Sequence, residues 1–302
     1  MEYRQLGSDG PQVPVLGLGA WPIGGGMGHV DERVAINTIR AAIDSGITLL
    51  DTAQAYRTSE ATVGVALRDG YRDRCFLATK ASSDYSREGI LSSLEDSLRA
   101  LDVDYVDLYQ IHNWKPEYPI EATMETMARL QEQGKARYIG VSNYGAAQMA
   151  QALKTARFGS NQVRYSMFDR QIEVQDVPFC EQEGIGILVH SPLAKGLLTG
   201  VYTPAHRFPQ DDERSRFPRF QGDAFARYLT VADRLQEIAL DGGLNLVQLA
   251  IAWALRLPAI TCVLVGAKNP SQVQDHAGAA GVVLGDEELA RISEILSDAP
   301  QD

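Results

Sequence analysis

Cysteine is scarce: Cys75, Cys180 and Cys262 are the only three in 302 residues. An odd count with no Cys-x-x-Cys pair argues against a disulfide framework and against a zinc-ligand set, so no metal is expected. Two of the three lie inside apolar runs, the setting of buried, inert thiols. Also missing is any stretch near the ~20 apolar residues that cross a bilayer, and the opening MEYRQLGSDG has no apolar core of signal-peptide length. The expected location is therefore cytoplasmic. Positive charge is in deficit, 28 Lys and Arg against 39 Asp and Glu, for a net charge of −11. That balance repels phosphate backbones and anionic lipid, which disfavours nucleic acid and membrane surfaces as partners. An anionic small ligand would need a local cluster of cations.

A dinucleotide-binding glycine fingerprint is absent as well. In WPIGGGMG, Gly24, Gly25, Gly26 and Gly28 do not spell G-x-G-x-x-G, because position 29 is His29, and Gly17 and Gly19 are followed by Pro22. The expected role of these glycines is a flexible loop, with Trp21 as a pocket wall.

What the chain does have is apolar material, 45% of residues, with 22% charged, enough for a sizeable core. Eight short aliphatic runs recur: LGLGA from Leu16, ITLLD from Ile47, CFLATK from Cys75, YVDLYQIH from Tyr105, RYIGVSN from Arg137, QVRYS from Gln162, GILVHS from Gly186 and ITCVLVGA from Ile260. Helical spacing lies between them, as in Ile90, Leu94, Leu98 and Leu101. Runs that are apolar throughout suit strands covered on both faces of a parallel sheet. Eight strand-helix units predict an α/β fold, a (β/α)8 TIM barrel forming one domain over residues 1–302. Two segments fall outside the repeat. YRQLGSDGPQVPVLG reads as an N-terminal β-hairpin closing the barrel floor, and some 68 residues between the seventh and eighth runs form a long loop able to cover a ligand. Leu289, Ile292 and Leu296 predict a last helix.

In such a barrel the chemistry sits at the C-terminal strand ends. The second run ends at Asp51 with Tyr56 just beyond, the third at Lys80 and the fourth at His112. Neighbouring strands bring all four to one mouth. A phenol of pKa ~10 is a poor acid near neutrality, and a nearby ammonium such as Lys80 lowers it. A buried lysine needs a carboxylate, here Asp51, to stay charged. His112 can orient a carbonyl oxygen beside the phenol. An oxygen that gains a proton sits on a carbon that gains an electron pair, and no side chain supplies hydride, so a nicotinamide cofactor is implied.

These residues resemble the aldo-keto reductases. DTAQAY is similar to that family's D-T-A-x-x-Y signature, and Lys80 and His112 complete an Asp-Tyr-Lys-His tetrad; IGVSN, NQVRYS, HSPLAKGLLTG and VLVGAKNPSQV extend the resemblance over nearly the whole chain, most closely to bacterial general stress reductases. It implies NADPH-dependent reduction of a small carbonyl substrate, with the cofactor extended across the barrel mouth. Ser142, Asn143 and Gln162 would face the nicotinamide carboxamide, and His190 stands where relatives have a stacking tyrosine or tryptophan. Ser191, Leu193, Lys195 and Gly196 would hold phosphate, and Gly266, Lys268, Asn269 and Gln272 would follow the last strand, with Lys268 on the 2′-phosphate. Asp275 and His276 replace the usual Glu-Asn near the adenine, and Trp21 and Trp114 are candidate substrate walls. Two other functions compete: a Schiff-base aldolase using Lys80, and a cofactor-sensing regulatory subunit with little turnover.

Overall fold

The computed structural model describes residues 1–300. Strands β1 (Tyr3–Gln5) and β2 (Gln12–Pro14) pair antiparallel as a hairpin. Eight parallel strands then close a barrel: β3 (Leu16–Gly19), β4 (Leu49–Asp51), β5 (Phe76–Ala81), β6 (Val106–Ile111), β7 (Ala136–Ser142), β8 (Ser160–Arg164), β9 (Gly186–His190) and β10 (Ile260–Val265), with β10 beside β3. Each falls within one of the eight runs, give or take two residues. The eight-stranded barrel with its N-terminal hairpin is the architecture expected.

Helices α1 (Glu32–Asp44), α2 (Ser59–Ala66), α3 (Arg87–Leu101), α4 (Ile120–Glu132), α5 (Ala146–Leu153) and α6 (Asp176–Glu183) follow strands β3 to β8 in turn. Their starts are written locally: Asp31 accepts the backbone N–H groups of Arg33 and Val34, and Ser86 that of Gly89. Ile90, Leu94, Leu98 and Leu101 are all buried, as their spacing predicts. The segment after β9 is only partly loop. Three short 3-10 turns are followed by α7 (Gly222–Asp241) and α8 (Leu246–Leu255) before β10. Its loop portion is pinned by packed rings, Tyr202 and Phe208 at 5.2 Å and Phe208 and Phe220 at 5.3 Å, and by the buried Asp212–Arg214 ion pair. Helices α9 (Pro270–Ala277) and α10 (Asp286–Leu296) complete the chain, with Ile292 and Leu296 buried on α10 as predicted. Among the described residues no single helix is long and apolar enough to cross a membrane.

The barrel interior explains why the site lies where it does. Leu49, Ala78, Leu108, Leu188 and Cys262 form an apolar cluster inside the barrel, together with the hairpin residues Leu6 and Val13. Alternate residues of a strand share a face. Two positions further along, the same strands therefore project Asp51, Lys80, Gln110 and His190, so a polar layer stacks directly on the apolar one. The three cysteines are free, and burial pushes the Cys75 and Cys180 thiols up to about 12, as suits inert side chains.

Candidate active site

At the centre of the polar layer, Lys80 is fully buried and donates to Asp51 Oδ1 at 2.5 Å, to the Thr52 carbonyl at 2.9 Å and to the Tyr56 hydroxyl at 3.2 Å. The other carboxylate oxygen of Asp51 accepts from Gln162 at 2.8 Å and Gln110 at 3.2 Å. Asp51 is thus held by an ion pair and two amides. Burial works to strip Lys80 of its proton, but Asp51 and then Tyr56 outweigh it and hold the ammonium above the ordinary lysine range. The lysine is charged.

Tyr56 departs from expectation. Burial raises its phenol above the ordinary value, and the pull of Lys80 offsets only part of that. Sequence shows the neighbouring charge but not the depth, and depth dominates. The phenol is therefore held protonated, with the Lys80 ammonium 3.2 Å from its oxygen. The rings of Trp21 and His112 meet Tyr56 edge-on at 5.0 and 5.5 Å. Burial, and next the Lys80 charge, push His112 down to about 3, so its imidazole is neutral.

The glycine-rich segment after β3 is a close-packed wall. A Cβ on Gly24 would stand 2.1 Å from the Tyr56 carbonyl oxygen, and one on Gly26 would stand 2.1 Å from the Trp21 ring. Glycine here lets the segment press against Tyr56 and Trp21, a role other than the flexible loop expected.

Above this floor opens a cavity of about 760 Å³. Of the sequence-predicted residues, Trp21, Asp51, Tyr56, His112, Ser142, Asn143, Gln162, His190, Ser191, Leu193, Lys195, Gly196, Gly266, Lys268, Gln272, Asp275 and His276 all line it. Three are placed otherwise. Lys80 sits beneath the floor; Asn269 caps α9 by accepting the Gln272 N–H at 3.0 Å; and Trp114 is 40% exposed outside the cavity. Next to it, Asn113 N–H donates to the Tyr85 hydroxyl at 3.1 Å.

Asn143 organises one wall. Its Nδ2 lies 3.0 Å from Asn113 Oδ1, 3.1 Å from Ser142 Oγ and 3.2 Å from the His112 carbonyl, while its Oδ1 is 3.2 Å from His190 Nε2. Burial, then the charges of Arg164, Lys80 and Lys195, push His190 down to about 3 and leave a neutral ring facing the cavity. Along the next wall, Ser191, Ala194, Lys195 and Gly196 all have positive φ, and Asn143 does too. Two of these residues bond within the loop, Ala194 N–H to the Ser191 carbonyl at 2.9 Å and Gly196 N–H to the Leu193 carbonyl at 2.8 Å, so the left-handed backbone folds the stretch into a tight turn beside the cavity.

Several lining or supporting residues carry no sequence signal. Glu213 accepts from Lys195 at 2.6 Å and from Trp21 Nε1 at 3.0 Å, joining segments 192 positions apart. Arg214 donates to the Tyr202 hydroxyl at 2.6 Å and to Asp212, and Met27 accepts the Lys268 ammonium through its carbonyl. Ser82 contacts His112 Nδ1 at 3.0 Å. Each depends on a loop conformation, which periodicity does not encode.

A closed parallel barrel, with a buried Asp-Lys pair under a phenol and a neutral imidazole at the strand ends, defines a class of carbonyl-converting barrel enzymes. The sequence model of the aldo/keto reductase family matches residues 15–297, and the chain belongs to that family. It is 38% identical over 316 residues to the aldo-keto reductase YhdN of Bacillus subtilis, covering 100% of this chain and 96% of that protein. The NADH-specific methylglyoxal reductase of Escherichia coli is 30% identical over 323 residues, covering 98% of each chain. Among solved structures, the glycerol dehydrogenase AKR11B4 of Gluconobacter oxydans superposes with a TM-score of 0.89 at 33% identity, covering 99% of this chain and 97% of that one. The chain is accordingly an oxidoreductase that reduces carbonyl groups, in a family that uses nicotinamide cofactors.

Proposed function

We propose that this protein reduces an aldehyde or ketone to the alcohol using NADPH, with Tyr56 as proton donor. The observation that carries the reading is the Lys80 ammonium 3.2 Å from the Tyr56 hydroxyl and 2.5 Å from Asp51, at the base of a cavity that His112 also lines.

The residues present suit a nicotinamide dinucleotide. The cavity reaches from the Tyr56 floor past the left-handed Ser191–Gly196 stretch to Lys268, Gln272 and His276. A diphosphate would be held by Ser191 and the Lys195 ammonium, since the Ala194 and Gly196 N–H groups already bond within the loop, and an adenosine phosphate by Lys268. Ser142 and the Gln162 carbonyl oxygen would take the carboxamide; the Gln162 amide nitrogen already serves Asp51. His190, being neutral, can lie against the ring without charge repulsion. When bound, the cofactor supplies hydride to the carbonyl carbon. His112 donates a hydrogen bond to the carbonyl oxygen and orients it toward Tyr56. As negative charge develops on that oxygen, Tyr56 gives it the phenolic proton, and Lys80 stabilises the phenolate, which solvent reprotonates. Trp21, Met27 and Tyr202 form the apolar part of the rim.

Preference for NADPH over NADH rests on Lys268, a half-buried cation lining the cavity whose ammonium donates to the Met27 carbonyl and forms no ion pair among the described residues. A Schiff-base role for Lys80 is disfavoured, because an ammonium bonded to Asp51 has no lone pair to attack a carbonyl. The test is loss of near-UV cofactor absorbance with NADPH and NADH side by side over aldehydes, ketones and dicarbonyls. Tight NADPH binding with no turnover over the whole panel would instead support a regulatory subunit.

A further inference from the structure

His112 is useful to a carbonyl oxygen only if its cavity-facing nitrogen carries the proton. A neutral imidazole has one N–H and one bare nitrogen, and the partner of one nitrogen decides the state of the other. Nδ1 lies 3.0 Å from Ser82 Oγ; among the described residues no other hydrogen bond to the ring is found, and His112 lines the cavity. The tautomer therefore turns on which way the Ser82 hydroxyl points.

Ser82 follows the end of β5, and the residue before it, Ala81, accepts the His112 backbone N–H at 3.0 Å, so the two side chains are anchored beside each other. Its oxygen accepts the backbone N–H of Ala55 at 3.3 Å, next to Tyr56. With that oxygen accepting, the hydroxyl proton remains to be donated, and two acceptors are in reach. The Lys80 carbonyl is 3.3 Å away and is already approached by the Gln54 N–H at 3.5 Å; His112 Nδ1 is nearer, at 3.0 Å. The shorter contact, to an acceptor with no other donor, is the better bond.

We propose that Ser82 is a positioning residue that donates to His112 Nδ1 and so fixes His112 as the Nε2–H tautomer. The proton then faces the cavity, beside the Tyr56 ring at 5.5 Å. The same hydroxyl, through Ala55, ties the Tyr56 segment to the histidine, so both groups that address the substrate oxygen share one anchor. The proposal deepens the reading that Tyr56 and His112 act on a carbonyl oxygen, and rests on it for its catalytic meaning.

The test is long-range 1H–15N NMR of 15N-histidine-labelled protein at neutral pH, with the His112 signals assigned by their loss in His112→Gln. Wild type should show a protonated Nε2 and an unprotonated Nδ1. Ser82→Ala should move toward the tautomer mixture of an unrestrained imidazole, and Ser82→Thr, which keeps the hydroxyl, should restore the wild-type pattern. In parallel, kcat should fall roughly three- to tenfold in Ser82→Ala, as for loss of one hydrogen bond, with KM changed less and with recovery in Ser82→Thr. If Ser82→Ala does not fold, Ser82→Cys offers a similar size and a weaker donor for the same spectra. A wild-type His112 protonated at Nδ1, or a tautomer unchanged on removing the hydroxyl, overturns the proposal whatever the activity. A tautomer that shifts as expected in a protein that reduces no carbonyl would overturn the activity reading and leave the Ser82 bond standing.

Discussion

Replacing Lys80 by Met tests whether the buried charge pair exists in the folded protein. The lysine is fully buried and its ammonium is 2.5 Å from Asp51, which is itself buried. Removing it leaves a carboxylate with two amide donors, Gln110 and Gln162, and no counter-charge. Breaking a buried pair from one side costs about 3–5 kcal/mol, whereas replacing both members by neutral groups of similar size is often close to neutral. Lys80→Met should therefore lose about 3–5 kcal/mol, and Asp51→Asn, which strands the ammonium on Thr52 and Tyr56, a comparable amount. The double variant should come within about 1–2 kcal/mol of wild type, a coupling well above the ~0.5 kcal/mol within which independent sites add. The assay is urea unfolding of the four proteins at neutral pH without cofactor, followed by tryptophan fluorescence and far-UV circular dichroism, whose transitions must coincide for the free energies to be compared. Losses that simply add would mean that Lys80 and Asp51 are not an ion pair, and the electrostatic account of Tyr56 would go with them.

Two further predictions use groups elsewhere in the cavity. Lys268→Met should weaken NADPH roughly 10- to 100-fold, as for loss of a charged hydrogen bond, while leaving NADH within about threefold; fluorescence titration of both cofactors checks this, and equal losses would remove Lys268 from the 2′-phosphate. His276, 5% exposed, is pushed by burial down to about 4. Between that value and the unfolded pKa of ~6.5, the unfolded chain binds a proton that the folded chain does not, so stability is full above about pH 6.5 and declines as pH falls toward 4. At pH 5 the single group accounts for about 2 kcal/mol, from 1.5 pH units at ~1.36 kcal/mol each. His112 and His190 add slopes of the same sign, so His276→Leu should make the urea-midpoint profile less steep in that window by the share of one proton, and an unchanged slope would contradict the burial argument.

The barrel was legible because continuous apolar runs and helical spacing are written residue by residue, from Leu16 to Val265. The polar floor was legible for a related reason: Asp51 and Lys80 end runs whose preceding alternate positions, Leu49 and Ala78, fill the apolar layer below. Depth was not legible. The charge of Lys80 near Tyr56 can be read from strand order, but the burial that outweighs it depends on how distant segments pack, such as Trp21, whose ring meets Tyr56 at 5.0 Å. Glu213 and Ser82 carry no sequence signal because their partners are fixed by loop conformation, and the exposure of Trp114 outside the cavity is set by loop conformation as well. Helices α7 and α8 lie inside a segment whose prolines and charges, more frequent in its first half, read as loop throughout.

The central claim is that the Tyr56 hydroxyl is the proton source, and Tyr56→Phe tests it most directly, since it removes one oxygen and keeps the ring against Trp21 and His112. Single-turnover and steady-state rates with NADPH and a reactive aldehyde should fall by roughly 10²–10⁴, with NADPH binding by fluorescence titration within about twofold of wild type. Carbonyl reduction at an undiminished rate by Tyr56→Phe would contradict it.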